Sequence, residues 1–317
     1  MNLSNEHLPS LGLGCAQLGN LGRVMSDQDS ELIVAAAWDQ GLRYFDTAPH
    51  YGLGLSEIRL GKALKRYNRD DYEISTKVGR LLVEDPNGEI RLDDQGFAVE
   101  TSKRRIWDFS RDGIFRSVEE SLKRLDLDRI DTLLLHDPDD HFEQASTEGI
   151  AALIELREQK VVSKVGAGMN AAAPLAELIR RADVDVVMCA GRLTLLEHDA
   201  LEELVPLANE QNVGILAAGV FNSGILGSNR ASANSNYGYA AAQEKLINKA
   251  NHIAQICEAH GVDLPTAAVA YAKKNVAVSS VVLGARNPEQ VRQNSERFKA
   301  NVPEDLWIEL QSANLVF

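Results

Sequence analysis

The sequence predicts a closed barrel of eight parallel β-strands ringed by α-helices. Three observations carry that prediction. Eight short runs rich in β-branched and apolar residues alternate with longer segments whose apolar residues recur every three or four positions. Strict alternation of the two implies parallel pairing, because each strand returns through a helical crossover. The turn after the first strand, Gly12-Leu13-Gly14 followed by Cys-Ala-Gln-Leu-Gly, lacks the G-x-G-x-x-G fingerprint that an open dinucleotide-binding sheet usually displays there. Closure removes both sheet edges, and 317 residues suffice for one barrel domain spanning residues 1–317.

The strand candidates run Leu11–Ala16, Arg43–Thr47, Glu73–Val78, Ile130–His136, Ser163–Ala167, Val184–Cys189, Gly214–Ala218 and Ser279–Gly284. The helical segments between them are Asp29–Asp39, Ser56–Tyr67, Asp112–Leu125, Thr147–Gln159, Ala173–Arg181, Ala200–Gln211, and the pair Ala240–His260 and Pro265–Lys274. Pro288–Phe298 follows the eighth strand, and Pro303–Asn314 reads as an added C-terminal helix. Two connections exceed what a barrel needs: Arg80–Arg111 after the third strand, and Val220–Tyr239 after the seventh. Both leave the strand ends where barrels of this kind place substrate loops.

Composition excludes several classes. Thirty-three Lys and Arg against 46 Asp and Glu give a net charge of −13, which repels phosphate backbones and anionic lipid. No apolar run approaches the roughly 18 residues of a membrane span. Met1–Ser10 has no apolar core behind a basic start, so no secretory leader is expected. Cys15, Cys189 and Cys257 lie far apart and read as reduced thiols, which points to a cytoplasmic protein.

Barrel geometry brings distant polar residues to one rim. Asp46 and His136 fall at the ends of the second and fourth strands, Lys77 near the end of the third, and Tyr51 five residues beyond Asp46. Asp46 and Lys77 lie on neighbouring strands and are expected to pair. A lysine beside a phenol stabilises the phenolate, so the Tyr51 pKa is expected below its reference of about 10. Tyr51 then exchanges a proton with a substrate oxygen, and His136 orients that oxygen. Any one of these residues alone reads more readily as a satisfied structural group, but four at three successive strand ends read as a catalytic centre. The run His136-Asp-Pro-Asp-Asp-His141 has metal-ligand residue types, yet it lies within one loop and no paired histidine stands on the first strand, so a solvated acidic loop is expected and no metal.

These motifs resemble those of the aldo-keto reductases. Gly41-Leu-Arg-Tyr-Phe-Asp-Thr-Ala-Pro-His-Tyr-Gly, Ser56-Glu57 and Leu60-Gly-Lys-Ala-Leu64 match the family signature, and Ile74-Ser-Thr-Lys-Val and Leu122–His136 match its next two motifs. The resemblance implies that Asp46, Tyr51, Lys77 and His136 are the catalytic four. It further implies that NAD or NADP binds in extended form over the barrel mouth. It places Gly14, Cys15 and Asp46 beside the cofactor, Met169 or Asn170 at the carboxamide, and Gly219, Val220 and Gly224 along the turn after the seventh strand. Gly284, Arg286, Gln290 and Asn294 fall at the adenosine end. This chain has Cys15 where the family often has Thr, Cys189-Ala-Gly-Arg in place of a strand-ending Gln, and Ala218-Gly-Val-Phe in place of Tyr-Ser-Pro-Leu. Gly284 and Gln290 stand where many NADPH-specific members carry Lys and Arg, which leaves Arg286 to meet a 2′-phosphate and favours NAD.

Ser102–Gly113, the His136–His141 loop and Ala190-Gly-Arg-Leu-Thr-Leu-Leu are similar to the family's sugar and pyridoxal dehydrogenases: D-threo-aldose (L-fucose) 1-dehydrogenase, L-galactose dehydrogenase and pyridoxal 4-dehydrogenase. That resemblance implies oxidation of a cyclic hemiacetal to a lactone. Trp107 and Phe109 are expected over the barrel mouth, against the apolar face of a sugar or pyridine ring, with Asp108 accepting hydroxyls. The alternatives are an NADPH-dependent aldehyde or ketone reductase and a cofactor-binding, redox-sensing regulatory subunit.

Overall fold

The computed structural model describes residues 8–238 and 240–317. Most of the leader-free stretch expected at the N-terminus, Met1–His7, and the far limit of the second long connection, Tyr239, lie outside the described residues.

Eight strands close into a parallel barrel: β1 (Leu11–Gly14), β2 (Tyr44–Asp46), β3 (Glu73–Val78), β4 (Thr132–His136), β5 (Lys164–Met169), β6 (Val186–Ala190), β7 (Gly214–Ala218) and β8 (Val278–Gly284). Each strand pairs with its sequence neighbours, and β8 closes on β1 through Leu11–Val281 to Gly14–Gly284. All eight predicted strands form. Two have the predicted bounds, and the others shift by one or two residues at an end, because apolar character continues into the turns that flank them.

Among the described residues, ten helices of eight residues or more pack outside or beyond the barrel: α1 (Asp27–Asp39), α2 (Leu55–Leu64), α3 (Arg111–Leu125), α4 (Ile150–Glu158), α5 (Ala172–Arg181), α6 (Leu204–Gln211), α7 (Glu244–Ala259), α8 (Leu264–Lys273), α9 (Pro288–Lys299) and α10 (Glu304–Ser312). Their starts follow local chemistry. Ser26, Ser110, Asp263 and Asn287 each accept a backbone N–H three residues ahead, which satisfies one of the amides that a helix leaves without an internal partner. Pro265 and Pro288 stand in the first turns of α8 and α9, where a missing N–H costs nothing.

The period-2 alternation of β3 sorts its side chains. Ile74 joins the apolar layer between barrel and helices, and Thr76 reaches outward to Glu57 on α2 at 2.8 Å. Ser75 and Lys77 turn inward. Tyr44, Leu134, Val186, Met188, Leu216 and Val282 fill the barrel interior. The Tyr44 ring fits because Gly12 faces it: a Cβ there would lie 2.4 Å from the ring. A third apolar cluster joins α7, α8 and α10, so the C-terminal helix covers the end of the chain's last crossover.

The connection after β3 is not irregular. Arg80–Glu84 pairs antiparallel with Lys103–Trp107, and Arg91–Leu92 pairs with Glu100–Thr101. The tip folds back over the barrel mouth and is tied to the β1–α1 turn: Gly22 donates to the Gly96 carbonyl, Ala98 donates to Asn20, and Leu21 bridges Phe97. Arg105 fixes the same excursion from below, through a buried ion pair with Asp93 at 2.5 Å and a bond to the His50 carbonyl at 3.0 Å.

Candidate active site

Asp46 ends β2, and its neighbour on β3 is Ser75. The inward Lys77, two residues on, therefore reaches across to it. Its ammonium lies 2.9 and 2.8 Å from the two carboxylate oxygens, 3.0 Å from the Thr47 carbonyl and 3.0 Å from the Tyr51 hydroxyl. Ser75 donates to Asp46 at 2.7 Å, and Tyr44 donates to Ser75 at 2.8 Å, so a buried chain of hydrogen bonds runs from the barrel interior to Tyr51. Lys77 and Asp46 are both nearly sealed from solvent, and their charges survive there because each is the other's partner and further bonds satisfy the remaining valences.

His136 ends β4 and meets the Tyr51 ring edge-on at 5.9 Å. A second imidazole, His50, stands 5.4 Å from His136, and Phe97 from the excursion packs edge-on against His50 at 5.2 Å. The buried Nδ1 atoms of His50 and His136 have no hydrogen-bond partner among the described residues. These residues line one cleft of about 440 Å³ at the C-terminal ends of the strands.

Electrostatics at the cleft reverse one expectation. Burial dominates for Tyr51 and pushes its phenol up to about 12, with the Lys77 ammonium pulling the other way. The phenol is thus protonated at neutral pH rather than poised below its usual range. Desolvation acts first on Lys77 too and would lower its pKa, but the Asp46 carboxylate and Tyr51 more than offset it, and the ammonium stays charged. Burial, then Arg80 and Lys77, holds His136 well below the usual imidazole range; burial, then Arg80 and Arg105, takes His50 down to about 2. Both rings are neutral at pH 7.

The cleft has two unlike walls. One is made of small or apolar residues: Gly14, Gly168, Met188, Ala190, Ala218, Gly219 and Gly284. The other carries Leu21, His50, Arg80, Gln95, Phe97 and Asp137.

Residues 10–315 match the sequence model of the aldo/keto reductase family. The chain belongs to the aldo/keto reductase family. It is 45% identical over 314 residues to D-threo-aldose 1-dehydrogenase of Pseudomonas sp, covering 98% of this chain and 95% of that protein. It is 36% identical to pyridoxal 4-dehydrogenase of Microbacterium luteolum, covering 97% and 94%. Among solved structures, glycerol dehydrogenase from Gluconobacter oxydans superposes with a TM-score of 0.78 at 23% identity, covering 96% of this chain and 91% of that one, a likeness of fold. As an aldo-keto reductase the chain is an oxidoreductase acting on alcohol and aldehyde groups with a nicotinamide cofactor.

The small-residue wall suits such a cofactor in shape. A Cβ at Gly284 would meet only a carbonyl oxygen 3.8 Å away, so the absence of side chains leaves an open trough at the strand ends. Of the residues the sequence placed along it, Gly14, Asp46, Met169, Asn170, Gly219 and Gly284 line the cleft. Asn170 is exposed there, whereas Met169 is buried in the outer core. The Cys15 thiol bonds back to the Leu13 carbonyl within the core and leaves only its backbone near the trough. Val220 is also a core residue, and Gly224 does not line the cleft among the described residues.

The adenosine-end residues follow Gly284 into the first turns of α9. Gln290 accepts the Arg286 backbone N–H at 2.8 Å, and the buried Asn294 donates to the Gly284 carbonyl at 3.2 Å, so both amides brace this turn. Sequence reasoning missed Arg23, whose guanidinium donates to the Arg286 backbone carbonyl at 3.3 Å.

The substrate side requires a correction. Phe109 is fully buried under the excursion, its ring filling the space beside Gly79, where a Cβ would come within 2.1 Å of it. It does not face the cleft. Asp108 is committed to Ser110 at the start of α3, through bonds of 3.0 and 2.6 Å. Trp107 is 37% exposed and stacks near Arg80 and His141 rather than lining the cleft. The aromatic of this connection that does line it, among the described residues, is Phe97, which gave no sequence signal because it sits at the tip of a polar loop. Among the described residues no group of three or more His, Cys, Asp or Glu is arranged to hold a metal ion, and no helix is long and apolar enough to cross a membrane.

Proposed function

We propose that this aldo-keto reductase oxidises the cyclic hemiacetal of an aldose, of the L-fucose or D-threo-aldose type, or of pyridoxal, to the corresponding lactone, with NAD favoured over NADP. The observation that carries the reading is the Lys77 ammonium bonded at once to Asp46 and to the Tyr51 hydroxyl, at the floor of a cleft whose open wall is polar. The similarity to D-threo-aldose 1-dehydrogenase and pyridoxal 4-dehydrogenase supports the substrate class.

In this reading the anomeric hydroxyl lies against Tyr51 and His136. Tyr51 acts as the phenolate, which the Lys77 ammonium stabilises, and becomes the neutral phenol as it takes the hydroxyl proton, with Asp46 keeping the ammonium in place. His136, neutral at working pH, directs a hydrogen bond at the same oxygen. Gly14, Asn170 and Gly219 would hold the nicotinamide, which when bound would supply the hydride acceptor. A ring hemiacetal gives up one proton and one hydride and becomes a lactone, and subsequent hydrolysis of the lactone draws the reaction toward oxidation. A spectrophotometric screen of aldoses and pyridoxal with NAD and NADP, following reduced nicotinamide, tests this directly. Turnover of at least one of these substrates is expected.

A second reading has its own support. Tyr51 is protonated at neutral pH, the state required of an acid in carbonyl reduction, and Arg23 adds a cation beside the Arg286 backbone at the turn assigned to the adenosine end. These favour NADPH-dependent reduction of an aldehyde or ketone. The same screen run with simple aldehydes and both reduced cofactors separates the two.

A further inference from the structure

We propose that Arg80 and Asp137 form a hydroxyl-reading pair that selects polyhydroxylated substrates, with Trp107 steadying the guanidinium from outside the cleft. This rests on the aldose reading above and gives a role to two residues that the catalytic chain does not use.

Arg80 opens the excursion after β3, and Asp137 is the first residue after β4; both line the polar wall. The guanidinium donates to the Asp137 carboxylate at 2.6 Å. Both side chains are largely withdrawn from solvent, at 10% and 22% exposed, and Arg80 Nε is buried with no partner among the described residues. The Asp137 carboxylate also lies 3.7 Å from His136 Nε2, so the pair adjoins the position of the reacting oxygen without belonging to the Lys77 chain.

The local structure is arranged to hold this pair in place. Arg80 and Trp107 are directly paired across the hairpin, and the guanidinium carbon stands 5.1 Å from the indole centroid. Gly79 takes φ +93, and the Phe109 ring fills the space where its side chain would be, which fixes the path by which Arg80 enters the rim. Asp137 itself adopts φ +39, an unfavourable region for a residue with a side chain, and its N–H is anchored to the Gly168 carbonyl at 2.9 Å. Backbone strain and a desolvated ion pair both oppose folding, and their coincidence at a cleft rim is the pattern of a recognition site.

The chemistry of the two groups names the ligand. A carboxylate only accepts hydrogen bonds and a guanidinium only donates them, in a planar fork. Together they match adjacent hydroxyls of a sugar ring, each of which donates one bond and accepts another. A substrate without those hydroxyls leaves the pair short of partners once water is displaced, and is discriminated against.

The test compares wild type, Arg80→Lys, Arg80→Met and Asp137→Asn on an aldose, on analogues lacking one ring hydroxyl at a time, and on a simple aldehyde in the reverse direction. Thermal melting and fluorescence titration of NADH are measured on each variant, and the variants that remain folded decide. In wild type, removing the hydroxyl that the pair reads lowers kcat/KM on the order of tenfold or more. In the variants that gap closes, and the aldose loses efficiency mainly through KM and by more than the aldehyde does. An unchanged gap in folded variants overturns the proposal, as does an equal loss on aldose and aldehyde. Wild type that reduces simple aldehydes but oxidises no aldose overturns the dehydrogenase reading, and this proposal with it; that result shows in wild type alone.

Discussion

The Lys77 ammonium lies 3.0 Å from the Tyr51 hydroxyl, and it is the only one of the described cations that bonds it. In the proposed mechanism this contact is what would let a phenol that burial keeps neutral release and regain a proton during turnover.

Tyr51→Phe removes the proton carrier and leaves the ring, so turnover should fall roughly 10²-fold or more while cofactor affinity stays close to wild type. Lys77→Met should fall similarly, since it removes the charge that stabilises the phenolate and leaves Asp46 buried without its partner. Steady-state kinetics with fluorescence titration of the cofactor measures both. Near-wild-type turnover in Tyr51→Phe would contradict the mechanism.

Oxidation and reduction should differ in pH dependence. Oxidation needs Tyr51 as a base, and with its phenol near 12 the basic fraction rises about tenfold per pH unit across the neutral and alkaline range. kcat/KM for oxidation should therefore climb with pH, while reduction, which uses the protonated phenol, should stay level over the same interval. An oxidation profile that is flat between about pH 7 and 9.5 would mean that another group takes the proton.

Cofactor choice should follow the cations at the turn into α9. Gly284 and Gln290 supply none, and the available guanidiniums are Arg286 and Arg23. NAD should be used at least as well as NADP, judged by kcat/KM with each. A strong NADP preference would show that these two arginines suffice for a 2′-phosphate, and Arg23→Ala should then abolish it.

How much of this was legible beforehand differs by element. The barrel was, because alternation of strand and helix patterns is a property of the chain itself. Asp46, Tyr51, Lys77 and His136 were as well, since parallel register places strand ends at one rim regardless of sequence distance. The excursion's hairpins were not: Arg80–Glu84 and Lys103–Trp107 pair across an 18-residue gap through mixed charged and apolar residues, which gives no clean period. Phe109 was misplaced for a related reason. An aromatic in a long loop looks substrate-facing until the close approach at Gly79 shows that it packs inward. The direction of the Tyr51 shift was misjudged because the sequence displays the lysine but not the burial, and burial is the larger effect.

Acid should expose the cost of the cleft's neutral histidines. His50 is held down to about 2 in the folded state, first by burial and then by Arg80, Arg105 and Lys77. Unfolded, it takes a proton below about pH 6.5. Its contribution is thus present above that pH and is lost as pH falls, at about 1.4 kcal/mol per pH unit. Urea unfolding of wild type and His50→Asn between about pH 6 and 4.5 should show a shallower loss of stability in the variant. Equal slopes would mean that His50 is not held neutral by the fold.

The central claim is that hydride leaves the anomeric carbon of a ring hemiacetal as Tyr51 takes the hydroxyl proton. Oxidation of L-fucose deuterated at C1, with NAD, followed by NMR of both products, tests it most directly. The account predicts deuterium on the reduced nicotinamide and a lactone as the first sugar product, with both signals lost together in Tyr51→Phe. Deuterium retained in the sugar, or no lactone alongside active reduction of simple aldehydes, would contradict it.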